Sequence, residues 1–191
     1  MVSMRLKKGA KMERSMNDEQ KMPEGLSRAE MIEWFRDPKN HGLRLDKEGR
    51  WLRHGGLVEH PGVQRLFHQG LSVDDDGRVK LQVGDQWCWI ECEDTPFFVF
   101  GIELIKGESG GVVEAKATLN DGTIVELPDG GLVISDENVL YCKVKEGRAL
   151  ARFSRDKQTQ LLDATLEEDG AGGYAVRIGE SAYPIEPREN D

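Results

Sequence analysis

A chain of 191 residues carries 26 Lys and Arg against 35 Asp and Glu, a formal charge of −9, and is long enough to bury a sizeable core in one large domain or two small ones. That acidity argues against non-specific nucleic-acid binding, which needs dense Lys and Arg to neutralise phosphates, and against anionic membrane surfaces. No uncharged apolar run approaches the ~20 residues of a membrane span, the basic N-terminus lacks the apolar stretch of a signal peptide, and Cys88, Cys92 and Cys142 make no disulfide framework; a cytoplasmic protein with free thiols is the expectation.

Residues 1–22 are polar, without periodicity, and hold five methionines; they read as a disordered arm. Order is expected from Ser27, where Ser27-Arg28-Ala29-Glu30 fits a capping box: the serine oxygen takes a free backbone N–H and the glutamate reaches back. Met31, Ile32, Trp34 and Phe35 follow as an apolar stripe at helical spacing, and Asp37-Pro38 ends the helix, because proline disfavours helical geometry in the residue before it. Leu43 and Leu45, the turn residues Asp46 to Gly49, and Trp51 predict a β-hairpin.

Pro61 suits a first helical position; Val63, Leu66 and Phe67 make one face of that helix, and Gly70 its C-terminal cap. Asp74 to Gly77 is a turn between strands Leu71–Val73 and Val79–Val83. Gln86 to Glu93 alternates as one strand, and Pro96 opens a long apolar strand reaching Ile105. A glycine-rich stretch, Gly107 to Gly111, marks a soft boundary between an N-terminal α+β part (residues 23–106) and a β-rich part (residues 107–186). In the second part the hairpin Val112–Leu119 and Thr123–Leu127 turns on Asn120-Asp121-Gly122, and short strands follow at Leu132–Ile134 and Val139–Val144. Ser154 caps a last helix with Leu161, Leu162, Thr165 and Leu166 on one face. Strands Tyr174–Ile178 and Ala182–Ile185 precede a tail over residues 187–191. Hairpins dominate, so the class is α+β with mainly antiparallel sheet.

Candidate chemistry is sparse. Cys88 and Cys92 lie four apart on one strand face with no second ligand pair at metal-site spacing, so they read as small buried hydrophobes and no metal is expected. Asp74-Asp75-Asp76-Gly77 fails as a calcium loop, because Val79 stands where the sixth-position glycine would be. No phosphate-binding P-loop and no G-x-S-x-G elbow is present. Two features could face a ligand. Trp87 and Trp89 share a strand face with Glu91 and Glu93. Arg152 and Arg155 bracket a helix start, where backbone N–H groups and guanidinium groups attract anions; the plainer reading pairs these arginines with Glu91, Glu93 or Asp94.

Several segments, in this order, resemble the bacterial domain-of-unknown-function family 1285 across roughly Leu43 to Ile185. They are Asp46 with Gly49-Arg50-Trp51, Arg65-Leu66-Phe67, Asp76-Gly77, Glu91 to Phe97, Tyr141-Cys142-Lys143-Val144, Ala151 to Arg155, and Tyr183-Pro184-Ile185. The resemblance implies two compact α+β parts, the second similar to pleckstrin-homology-like β-rolls that end in a helix against a sheet. It points to a fold and not to a reaction. Such folds generally bind peptides or lipid head groups without catalysis. The leading expectation is therefore a binding or signalling-adaptor module without catalytic residues or cofactor, taking a small ligand, peptide or protein at Trp87, Trp89, Arg152 and Arg155. Its alternatives are a hydrolase-like enzyme using Glu91, Glu93 or Asp94 as paired carboxylates, and a structural homodimer.

Overall fold

The computed structural model describes residues 27–128, 130–170 and 172–189; the arm expected over residues 1–22 lies outside them. The capping box forms as expected: the Ser27 N–H donates to Glu30 Oε2 at 2.8 Å and the Glu30 N–H to Ser27 Oγ at 3.3 Å, opening helix α1 (Arg28–Arg36). Asp37 ends α1 and caps the single turn α2 (Pro38–His41). The stripe on α1 differs from expectation. None of its residues is buried, and Ile32 and Phe35 face outward, because α1 lies over the edge of a small hairpin sheet instead of entering a core.

Strands β1 (Leu43–Leu45), β2 (Trp51–Arg53) and β3 (Gly56–Leu57) form the expected hairpin and extend it. Helix α3 (Pro61–Gln69) buries His68 and leaves Leu66 exposed. The cause is a polar joint: His68 Nδ1 lies 3.4 Å from Trp51 Nε1 and 2.8 Å from Asn120 Nδ2. Burial lowers the His68 pKa, with Asp121 opposing it, so near neutrality the ring is uncharged and the single lone pair of its Nδ1 faces both donors, Asn120 being the nearer. Strands β4 (Leu71–Val73), β5 (Val79–Val83) and β6 (Gln86–Trp89) make a three-stranded antiparallel sheet.

The strand expected over Gln86 to Glu93 is in fact two. β6 stays with β5, whereas β7 (Glu91–Cys92) pairs parallel with β1. The switch falls at Ile90, whose N–H donates to Val79 and whose side chain is buried at the seam; the Glu93 N–H then donates to Leu45. Alternation continues through such a switch, so period alone does not reveal it.

The main sheet has nine strands: β8 (Phe97–Lys106), β9 (Val112–Leu119), β10 (Ile124–Glu126), β11 (Leu132–Ile134), β12 (Leu140–Val144), β13 (Ala149–Phe153), β14 (Leu166–Glu168), β15 (Tyr174–Ile178) and β16 (Ser181–Pro187). Their order is β10-β9-β8-β13-β12-β11-β16-β15-β14. The chain is mixed α+β with mostly sheet, and this sheet curls into a half-barrel. Pairing is largely antiparallel; β13 with β8 and β11 with β16 are parallel. Residues 107–111 form the turn between β8 and β9, so strands from both expected parts share one sheet.

β13 and β14 were not legible as strands. Leu166, placed by its spacing on the last helix, instead leaves α4 (Arg155–Thr165) in extended geometry and pairs with Val176. Leu161 of α4 belongs to one buried core with Phe97, Phe153, Leu140 and Val176, each essentially inaccessible; burying such a side chain is worth about 1.5–3 kcal/mol.

Gly70 closes α3 where the chain touches β5. Its carbonyl accepts the Gln82 N–H at 2.9 Å, and a Cβ there would collide with the Gln82 carbonyl oxygen. Gly70→Ala is expected to lower stability by about 1–3 kcal/mol through overpacking. A urea-denaturation midpoint equal to that of the parent chain would show that α3 and β5 can part without loss.

Candidate functional site

Asp94, in the segment joining β7 to β8, gathers side-chain donors from three separate parts of the chain. Its Oδ2 accepts from the Tyr141 hydroxyl at 2.9 Å and from Arg152 Nη1 at 2.7 Å, and its Oδ1 accepts from Arg188 Nη1 at 2.6 Å. Local folding explains the convergence. Tyr141 and Arg152 are direct cross-strand partners on β12 and β13 and so share a face. Arg188 follows β16 and is tied by its own N–H to the Ile134 carbonyl at 2.7 Å; its guanidinium lies 4.4 Å from the centre of the Tyr141 ring.

The electrostatics are those of a fixed anion. Burial pushes the Asp94 carboxyl up, but hydrogen bonds from Arg188, Arg152 and Tyr141 together outweigh it and hold the group below the usual carboxylate range. Burial, then the hydrogen bond to Asp94, pushes the Tyr141 phenol up. Asp94 therefore stays ionised near neutrality and has no proton to give as a general acid. Glu93 pairs with Arg44 at 3.1 Å, and Glu91 is exposed. Of the three carboxylates named for hydrolase-like chemistry, Glu93 and Asp94 share the wall of a cleft of about 340 Å³, but Glu91 does not join them, and Asp94, held in its charged form, supplies no acid partner there.

Arg152 and Arg155, singled out from the sequence, do come together. Both line a cleft of about 770 Å³ where β13 runs into α4, with Phe98, Val139 and Phe153 as its apolar parts and Glu48 and Glu137 as its acidic ones. Gln158 fastens α4 to the cleft wall, accepting from the Leu140 N–H at 3.0 Å and donating to the Asn138 carbonyl at 2.9 Å. Ser154 holds the N-cap position without a side-chain cap bond; its hydroxyl donates to Asp156 Oδ1 at 2.6 Å. The Arg155 side chain is exposed and makes no hydrogen bond or ion pair with the described residues, whereas Arg152 is committed to Asp94. An adjoining hollow of about 350 Å³ holds Phe100, which is 65% exposed because a β-bulge between Val99 and Gly101 turns it outward.

Trp87 and Trp89 do not join this cleft. Their rings meet edge to face, 5.2 Å apart. Arg36 of α1 lies 3.9 Å and Lys80 5.1 Å from the Trp87 ring centre, and Arg78 lies 4.2 Å from that of Trp89. The aromatic surface is therefore engaged by cations of the same chain, with Trp89 on the wall of a different cleft.

The cysteines are free thiols. Burial pushes Cys142 up to about 12 and, with the Asp94 charge adding to it, Cys92 up to about 12; neither is a nucleophile near neutrality. Among the described residues no group of three or more His, Cys, Asp or Glu side chains is placed to hold a metal ion.

Sequence reasoning offered Asp94 as one of three acidic partners for Arg152 and Arg155, and Arg152 does pair with it; it missed Tyr141 and Arg188 and the gathering of all three donors on that one carboxylate. Positions 94, 141, 152 and 188 share no spacing that one helix or strand could bring together. The available signal was that Asp94, Tyr141 and Arg152 all stand in the segments that carry the family resemblance.

Replacing Asp94 by Asn leaves two arginines without their carboxylate and is expected to cost about 2 kcal/mol at pH 7. Because the folded pKa lies below the usual 3.8, the unfolded chain binds more protons. The Asp94 contribution is thus present above that value and is lost as pH falls through the folded pKa. Urea denaturation of both proteins from pH 7 to pH 3 should show the gap narrowing on acidification. A constant gap would show that the carboxylate charge contributes nothing.

No protein-family model matches the chain, and neither does any curated protein. Among solved structures, the chain is similar to a DUF1285 family protein from Silicibacter pomeroyi DSS-3, with 21% identity, a TM-score of 0.60, and coverage of 76% of this chain and 79% of that one. A DUF1285 family protein from Shewanella baltica OS155 matches at 16% identity and a TM-score of 0.48, over 64% of this chain and 91% of that one. The fold of this chain is that of the Silicibacter DUF1285 family protein, as its sequence segments led us to expect.

Proposed function

We propose that the protein is a binding module of the DUF1285 group, without catalytic chemistry, that takes a peptide-sized ligand carrying a carboxylate beside an apolar group. One observation carries this reading: Arg155 is exposed and unpaired among the described residues, on the same cleft as Arg152 and next to an outward-turned Phe100. An unpaired guanidinium beside a helix start is suited to a carboxylate, which it can grip with two parallel hydrogen bonds. Phe98, Val139 and Phe100 offer apolar contact on either side. A volume near 770 Å³ is within the range of small-molecule and short-peptide sites.

Two further points support binding over chemistry. Asp94 is locked in its charged form by three donors. The closing of a curled sheet by α4 supports likening the second part to pleckstrin-homology-like β-rolls, which serve recognition; this is analogy at the level of fold. Trp87 and Trp89, being covered by Arg36, Lys80 and Arg78, are given no ligand role in this reading.

Arg155 is the residue to test, because Arg152 also holds Asp94. N-acetylphenylalanine and its uncharged amide serve as minimal probes in a thermal-shift titration. The carboxylate form should raise the melting temperature of the parent chain, by the equivalent of about 2.7 kcal/mol at a hundredfold excess over Kd. The amide should not, and Arg155→Ala should abolish the difference. Equal shifts from both probes, or an unchanged shift in Arg155→Ala, would remove Arg155 from the role.

A further inference from the structure

A second cleft, of about 640 Å³, opens on the other side of Asp94, between the β4–β5 hairpin and the β12–β13 turn. It is lined by Arg78, Lys143, Arg148 and Arg188, and the only carboxylate among its described lining residues is Asp94. Both oxygens of that carboxylate are already occupied by Arg152, Tyr141 and Arg188. We propose that this cleft is a binding site for a phosphate-bearing small molecule, separate from the Arg155 cleft and independent of its role.

The chemistry follows from how the cations are held. Arg148 pairs at 3.6 Å with Asp75 and at 3.1 Å with Glu146, and Lys143 pairs at 3.6 Å with Glu186; these acids are 97%, 85% and 61% exposed. Exposed pairs of this kind are weak, so both cations can turn inward to a stronger anion. Arg78 is held more firmly, by Asp74 at 2.9 Å and with its guanidinium over the Trp89 ring. Several donors, brought in by β12, the β4–β5 turn, the β12–β13 turn and the segment after β16, suit the many oxygens and multiple charge of a phosphate better than a single carboxylate.

The surroundings narrow the class further. A cation-lined hollow runs against a chain of net charge −9. Its rim carries Asp75, Asp76, Glu146 and Glu186, which would repel a long polyanion such as a nucleic acid or an anionic membrane. What fits is compact. The wall bearing Arg148 is also strained: Lys145 and Glu146 sit at φ 53° and 61°, a left-handed conformation that side chains other than glycine rarely adopt and that recurs at functional sites.

Inorganic pyrophosphate is the probe, titrated calorimetrically at low ionic strength into the full chain, into Lys143→Ala/Arg148→Ala and into Arg155→Ala. Saturable binding to the parent chain, weakened by at least about tenfold in the double variant and retained in Arg155→Ala, is the expected result. Far-ultraviolet circular dichroism checks that the variants fold, and the single charge reversal Lys143→Glu replaces the double variant if it does not. Three results would overturn the proposal: no saturable binding to the parent chain, unchanged binding in the double variant, or loss only in Arg155→Ala. The last would assign the anion to the first cleft, so failure here is distinguishable from failure of the carboxylate reading.

Discussion

The parallel pairing of β8 with β13 is the constraint on which the rest of the molecule depends. Phe97, Phe98 and Val99 lie against Ala151, Arg152 and Phe153, and the buried Thr95 hydroxyl donates to the Leu150 carbonyl just before that ladder begins. β8 also carries the long antiparallel ladder to β9. One strand thus ties the first hundred residues to the last ninety, and its inward Phe97 and Val99 belong to the same buried core as Leu161 of α4. Parallel pairing between strands so far apart in sequence closes a long loop, whose entropy must be offset by burial. Here the near-total burial of Phe97, Val99, Ala151 and Phe153 provides it.

Two polar joints make this apolar arrangement specific. In the first, Asn120 in the β9–β10 turn accepts the Phe98 N–H, donates to Pro96 and meets His68, which in turn meets Trp51. The small hairpin sheet and α3 are thereby registered on the large sheet. A neutral buried imidazole serves well in such a joint, since an ionised one would bring a desolvation cost. In the second joint, Asp94 gathers three donors from β12, β13 and the segment after β16. Part-buried ionic clusters of this kind resist rearrangement, because any partial opening leaves a charge uncompensated.

The second joint also organises the surface. Arg152 and Arg188 approach opposite oxygens of one carboxylate, and each lines a different cleft. Asp94 acts as a partition, fixing the arginine on either side while leaving the outer cations, Arg155 in one cleft and Arg148 with Lys143 in the other, less constrained. The two cation-lined clefts proposed as anion sites therefore lie on either side of one carboxylate.

Local chemistry was readable in the sequence wherever a few neighbouring residues decide the outcome. Ser27 with Glu30, Pro61, and the Asp-rich and Asn-Asp-Gly turns each satisfy their own backbone groups, so helix starts and hairpins followed from short-range hydrogen bonding and steric rules. The pairing of Arg152 and Arg155 at a helix start was legible for the same reason. The division of Gln86 to Glu93 between two sheets, the departure of Leu166 from its helix, the strand at Ala149–Phe153 and the meeting of Asp94 with Tyr141, Arg152 and Arg188 were not. Each is settled by pairing outside the local segment, ten residues away for Leu166 and nearly fifty for Glu91, and local period is identical whether a strand keeps its sheet or changes it. What the sequence by itself determined was therefore the helix starts, the turns and most of the elements between them. Which strands lie side by side, which face of the tryptophans remains open and where charge gathers were decided only when burial and long-range hydrogen bonding selected one packing of those elements.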